Sequence, residues 1–234
     1  MAMAMKIIKK VMQKKTIKLN QLEIKLEKQH EKREWEAHTS GLDVLISTIL
    51  SQNTSDSNSS RAFKSLKKVY PSWTKAARAH KASITKAIKS GGLAKVKAGY
   101  IKSALKRVKD DFGTYSLQKL KKKPIDESLE YLTSFDGVGE KTAACVLLFA
   151  FGKKVMPVDT HVHRVTHRLG LIKETADRQK SFQFWFGQNN IVDYYNLHLN
   201  MVRHGRLICK ARNPKCDECA LREACAYYNR RKRK

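Results

Sequence analysis

From Thr142 to Phe151 the chain reads Thr-Ala-Ala-Cys-Val-Leu-Leu-Phe-Ala-Phe, a stretch without a polar face. As a helix it is stable only if neighbours cover it on every side, so the rest of the chain must build a shell around it. Periodicity says that the shell is helical. Apolar residues recur three and four apart in Ala62, Phe63, Leu66, Val69 and Tyr70, in Val96, Tyr100, Ile101, Leu105 and Val108, and in Ile191, Tyr195, Leu199 and Val202. Strand-like alternation is confined to Leu22-Glu23-Ile24-Lys25-Leu26, and its charged continuation from Glu27 to Lys32 favours a surface helix. Breakers at Pro71, Gly91-Gly92, Gly113, Pro124, Gly137, Gly139, Gly152, Pro157 and Gly170 cut the chain into helices of ordinary length. The expected fold class is all-α, with no internal repeat.

Charge narrows the partners. The chain has 234 residues, with 48 Lys and Arg against 21 Asp and Glu, a formal net charge of +27. Such a surface seeks a polyanion, either nucleic acid or an anionic membrane. A membrane helix needs roughly 20 apolar residues, and no run approaches that. The opening, Met1 to Lys15, has lysines among its apolar residues and lacks a continuous apolar region, so no secretion signal is expected. The closing Arg230-Arg231-Lys232-Arg233-Lys234 reads as a disordered, electrostatic tail.

Directly ahead of the apolar stretch lies Phe135-Asp136-Gly137-Val138-Gly139, itself preceded by an amphipathic segment carrying Leu129 and Leu132. The pattern reads as helix, hairpin, helix. Paired glycines let backbone amides approach a ligand, and the following helix offers its positive N-terminal end. Phosphate suits that nest of Gly137, Val138 and Gly139; a plain interhelical corner is the alternative for so short a motif. Lys141 falls in the first turn of the apolar helix, where the dipole and the neighbours both disfavour an ammonium. An unprotonated lysine can attack a sugar C1′ and form a Schiff base, whereas a protonated one serves as a phosphate contact. Further on, Pro157-Val158-Asp159-Thr160-His161-Val162-His163-Arg164 places Asp159 as the N-cap of a helix containing Val162, Val165 and Leu169. A carboxylate fixed there could assist a lysine's deprotonation and offset positive charge building on a deoxyribose. His161 and Arg164 are candidate phosphate contacts, with satisfaction inside the core as the alternative.

Four of the five cysteines, Cys209, Cys216, Cys219 and Cys225, crowd together near the end, and Cys145 stands alone in the apolar stretch. Clustered thiols with an odd total speak for metal ligation in a reducing compartment, cytoplasmic or nucleoid-associated, rather than a disulfide framework. Structural zinc sites more often pair two Cys-x-x-Cys knuckles or add histidines, and only Cys216/Cys219 forms one here. A run this compact can wrap a [4Fe–4S] cluster, with zinc as the alternative. Lys210, Arg212 and Lys215, between the first two cysteines, would be presented outward as a second contact to a nucleic-acid backbone.

Three motifs together, Phe135-Asp-Gly-Val-Gly-Glu-Lys141-Thr-Ala, Val158-Asp-Thr-His-Val-His-Arg164-Val and His204-Gly-Arg-Leu-Ile-Cys209, resemble the endonuclease III family of helix-hairpin-helix DNA glycosylases, from about residue 20 to 228. The resemblance implies a two-domain helical fold: an N-terminal segment (1–40) packing with a cluster-bearing C-terminal domain (157–234), and a six-helix barrel domain (41–156). It implies double-stranded DNA with a damaged base or abasic site as partner, bound by a monomer, and no membrane association. Lys141 would be the Schiff-base nucleophile, Asp159 its catalytic partner and the four cysteines the ligands of a [4Fe–4S] cluster. The family's wedge loop matches Leu50-Ser51-Gln52-Asn53-Thr54-Ser55-Asp56, where Gln52 and Asn53 would fill the hole left by a flipped nucleotide, and Leu93 matches an intercalating residue. Asp136 and Glu140 replace a proline and a basic residue of the common bacterial pattern, which should weaken the phosphate nest. The implied activity is removal of an oxidised pyrimidine with strand cleavage by β-elimination. Alternatives are a uracil or thymine-mismatch glycosylase with weak lyase activity and a non-catalytic, redox-sensitive DNA-binding protein.

Overall fold

The computed structural model describes residues 17–36, 40–188 and 190–232. Among these there is no β-strand, and no helix is long and apolar enough to cross a membrane. The chain folds as two compact units, one made of the residues up to Glu34 with those from Val158 onward, the other of Trp35–Pro157. The expectation for Met1 to Lys15 lies outside the described residues.

The first unit begins with α1 (Leu19–His30), where the alternating stretch is indeed helical. Leu22 and Leu26, one turn apart, are fully buried while Ile24 stays exposed.

The second unit holds α2 (Gly41–Ser51), α3 (Asp56–Val69), the short α4 (Trp73–Arg78) and α5 (Lys81–Ala87), α6 (Ala94–Phe112), α7 (Ile125–Thr133) and α8 (Glu140–Cys145). Ser40 and Ser55 accept hydrogen bonds from Asp43 N and Asn58 N, capping α2 and α3. α6 stops at Gly113, a glycine in the left-handed conformation that returns its amide to Lys109 O. α8 continues as a π-helical turn over Val146–Ala150. As the sequence requires, Thr142 to Leu148 are all buried, and α2 and α7 supply cover. At the wide turn the Phe149 carbonyl accepts the Trp35 indole N–H at 3.0 Å, which ties Trp35 into this unit.

The first unit resumes with α9 (Thr160–Leu169), α10 (Arg178–Phe186), α11 (Tyr194–Leu207) and α12 (Ala226–Arg231). Its core is α9 against α11, with α1 laid on α11. Trp185 of α10 is fully buried and donates its indole N–H to Thr166 of α9 at 2.9 Å, so a polar tip inside the core is satisfied. Buried asparagines fasten the N-terminal segment: Asn196 donates to Glu27 and accepts from Arg33 N, and Asn200 donates to the Glu31 carbonyl. The basic tail is more ordered than its composition suggested. Arg230 and Arg231 lie in α12, where Arg230 pairs with Glu174 at 2.9 Å and Arg231 sits over the Tyr227 ring, and the last two residues lie outside the described ones.

Leu26 shows what the N-terminal segment contributes. Replacing it with Ala leaves a void beneath α1 and should destabilise the protein by about 2–5 kcal/mol in equilibrium denaturation, whereas Ile24→Ala should change the midpoint little.

Candidate functional site

Gly137 adopts φ +74, and a Cβ there would be driven into the Tyr100 ring. A glycine is therefore required both by the backbone and by the packing. Val138 and Phe135 are buried anchors on either side, Gly139 opens α8 without a side-chain cap, and Lys141 follows half-buried one residue into the helix. The hairpin is also held from α2. Gln52 Nε2 donates to Gly137 O at 2.8 Å and lies 3.5 Å from Thr142 Oγ1. Gln52, expected to enter a DNA duplex, is thus turned inward, because its amide satisfies a carbonyl of the turn. Asn53 and Leu93 face outward. Both take left-handed backbone angles, φ 50 and φ 49, and Leu93 is 57% exposed despite being apolar. Asp136 is exposed and accepts from Ser103 Oγ at 2.8 Å.

In the other unit Asp159 caps α9 as its sequence position predicted: Oδ1 accepts from His161 N at 2.8 Å and Val162 N at 2.7 Å. The carboxylate is half-buried and fixed in direction. Burial pulls the His161 imidazole below the usual histidine range although Asp159 works the other way, so the ring next to this carboxylate favours the neutral form.

Arg164, expected to contact phosphate, is committed inside its unit. Its Nε donates to Cys209 O at 2.9 Å, and its Nη2 donates to Gly205 O at 2.8 Å and meets His161 Nδ1 at 3.0 Å. A guanidinium with these donors occupied is a brace. One turn on, Arg168 extends the brace to Lys210 O at 2.7 Å, Ala211 O at 3.0 Å and Cys209 Sγ at 3.4 Å, and its guanidinium lies over Tyr227. The sequence reading missed Arg168; the i, i+4 repeat Arg164/Arg168 on an otherwise amphipathic helix was the available signal. Gly205 makes the arrangement possible, since a Cβ there would stand 2.8 Å from that of His161.

All four clustered cysteines are free of disulfides and line one small cavity together with Arg168, Ile208 and Tyr227. Among the described residues no three of His, Cys, Asp and Glu converge closely enough to hold a single metal ion. Four thiol sulfurs around one cavity are a donor set that a metal centre can use. Burial pushes the Cys219 thiol up to about 11 and raises Cys225 as well, so a positively charged group is needed to hold them as thiolates at neutral pH. His204 approaches Cys219 Sγ with Nε2 at 3.5 Å and His30 with Nδ1 at 3.1 Å. Its burial lowers the ring to about 4. Of the loop cations, Lys210 and Arg212 are exposed, while Lys215 is paired with Glu218 at 2.9 Å and is less available to an outside anion.

A family model described as HhH-GPD superfamily base excision DNA repair protein matches residues 46–185. A DNA glycosylase of Arabidopsis thaliana is 39% identical over 191 residues, which is 77% of this chain and 64% of that protein, so the chain spans just under two thirds of the plant relative. Endonuclease III of Thermotoga maritima is 37% identical over 196 residues, covering 80% of this chain and 84% of the relative. The solved structure of a trapped endonuclease III–DNA covalent intermediate superposes with a TM-score of 0.75 at 25% identity, over 92% of this chain and 99% of that one.

The two glycines of the hairpin should respond differently to a methyl group. Gly137→Ala should cost at least roughly 1–2 kcal/mol for the left-handed backbone alone, with more from Tyr100. Gly139 has extended backbone and nothing within 4 Å of a would-be Cβ, so Gly139→Ala should cost less than about 1 kcal/mol. Thermal melts of both variants check this.

Proposed function

The chain belongs to the HhH-GPD superfamily of base excision DNA repair proteins and is an enzyme of the endonuclease III type; from that premise we propose that it excises an oxidised pyrimidine through Lys141 and then cuts the strand at the abasic site. The observation that carries this reading is the placement of Lys141, half-buried two residues past a glycine hairpin and rooted in a helix whose next residues are all buried. An amine so held can be aimed repeatedly at one sugar carbon with little entropy lost. In this scheme the unprotonated Lys141 nitrogen attacks C1′ and displaces the base, which leaves with a proton; the C1′–O4′ bond then opens to a 4′-hydroxyl, and the resulting iminium makes the C2′ proton acidic enough for β-elimination of the 3′ phosphate. Asp159 is the partner carboxylate. Its Oδ1 is occupied by the cap, which fixes the direction of the group and suits it to offset charge on the sugar.

Phosphate contact falls to the hairpin at Gly137, Val138 and Gly139 and to the exposed cations Lys210 and Arg212. Asn53 and Leu93 are the plugs for the space a flipped nucleotide vacates. Cys209, Cys216, Cys219 and Cys225 would hold a [4Fe–4S] cluster, which when bound supplies a rigid anchor for the cationic loop between the first two. Arg164 and Arg168 then set where that loop meets α9.

Borohydride trapping on a panel of duplexes carrying thymine glycol, uracil, a thymine mismatch or an abasic site tests the reading. Wild type should form a covalent adduct, and Lys141→Ala should lose it entirely; an undiminished adduct in the variant would exclude Lys141 as nucleophile. Asp159→Asn should lower base release by about 10²-fold or more while binding holds. For the metal, Cys219→Ser should lose iron and visible absorbance together, and purified wild type containing zinc without sulfide would replace the cluster with a zinc site.

A further inference from the structure

Lys97 is 2% exposed, an unusual state for a lysine. It stands near the start of α6, and its ammonium donates to Leu50 O and Gly91 O, both at 2.8 Å. Each acceptor ends a segment. Leu50 lies in the last turn of α2, where carbonyls have no partner within the helix, and Gly91 closes the 3-10 turn Lys89–Gly91. The two roots also run close together, since a Cβ added to Gly91 would lie 3.9 Å from both Leu50 Cδ2 and Leu50 O. Asn53 lies three residues beyond the first root, and Gly92, φ 68, and Leu93 follow directly on the second. Asn53 and Leu93 are two of only four non-glycine residues with positive φ among the described residues, Glu31 and Asn213 being the others. Such angles cost roughly 1–2 kcal/mol for an ordinary residue and persist only where the surroundings over-determine them.

An ammonium kept from water is costly unless its donors are used, and a methionine would fill the same volume without that cost. Something in the pair of carbonyls must therefore need a cation. We propose that Lys97 is a positioning residue for nucleotide extrusion: it staples the roots of the Asn53 and Leu93 loops to each other, so that the two side chains enter a duplex at a fixed separation. The inference rests on the glycosylase reading above. It extends that reading by making the two plugs one rigid tool rather than two independent loops. Desolvation lowers the affinity of Lys97 for its proton, and the charge-assisted bonds to the two carbonyls work the other way.

The test compares wild type, Lys97→Met, Leu93→Ala and the double variant on two substrates, a lesion duplex and a duplex with a preformed abasic site, alongside a 2-aminopurine reporter of base opening. Lys97→Met should lose base opening and lower single-turnover base release by roughly 10²-fold, with cleavage of the preformed abasic site nearly unchanged. In the double variant the loss should be no greater than the larger of the two single losses. Equal losses on both substrates, or losses that multiply in the double variant, would overturn the staple and leave a merely structural lysine. A wild type that opens the reporter base but cleaves neither substrate would instead sink the catalytic reading and spare the staple. Should Lys97→Met fail to fold, the wild-type Lys97 ammonium can be followed by nitrogen NMR. A slowly exchanging signal that shifts with lesion duplex and not with undamaged duplex is expected; rapid exchange, or indifference to the lesion, rejects the proposal.

Discussion

Two guanidinium groups one helical turn apart hold the first unit's functional parts together. Arg164 and Arg168 of α9 take backbone carbonyls from the segment that carries Cys209, and Asp159 caps the same helix at its other end. Position along α9 therefore links a carboxylate to a thiol-bearing loop without any contact between them. Hydrogen bonds from a charged donor are stronger than neutral ones and directional, and several share each guanidinium. Movement of the cysteine loop would have to break them together. The smallness of Gly205, which lets α9 lie close to α11, belongs to the same device.

The second unit solves a related problem with packing. From Thr142 onward α8 has no face for solvent, so it is anchored all round, and the hairpin that feeds it inherits that rigidity. Tyr100 fills the side of Gly137 where any other residue would carry its Cβ, and Gln52 reaches from α2 to the turn's carbonyl. Lys141 emerges from this frame with its backbone fixed and its side chain half-exposed. Precision at the amine comes from burial of residues that have no chemistry of their own.

How much of this could be read from the residues depends on whether the cause is local. The buried helix, the helical reading of Leu22 to Leu26 and the Asp159 cap follow from short-range rules, and each stands where those rules put it. The cysteine cluster is legible because its spacing is itself the signal. Arg164 could not be decided because a basic residue looks the same in sequence whether it meets phosphate or a carbonyl from a distant segment. The inward bond of Gln52 to Gly137 is hidden for the same reason, as is the surface pair of Lys215 with Glu218. The left-handed angle at Asn53 has a faint sequence mark, since asparagine tolerates it. Leu93 has none, and long-range packing overrides local preference there.

The wide turn at Val146–Ala150 has a consequence for the lineage of such chains. A π turn accommodates one residue more than an α turn, and this one delivers the Phe149 carbonyl to the Trp35 indole. Deleting a residue would restore regular pitch but rotate everything downstream by about 100°, swinging that carbonyl away. Insertions and deletions between Lys141 and Gly152 are thus selected against by geometry, whereas apolar residues can exchange for one another, so related sequences should vary in the letters of this helix and keep their number.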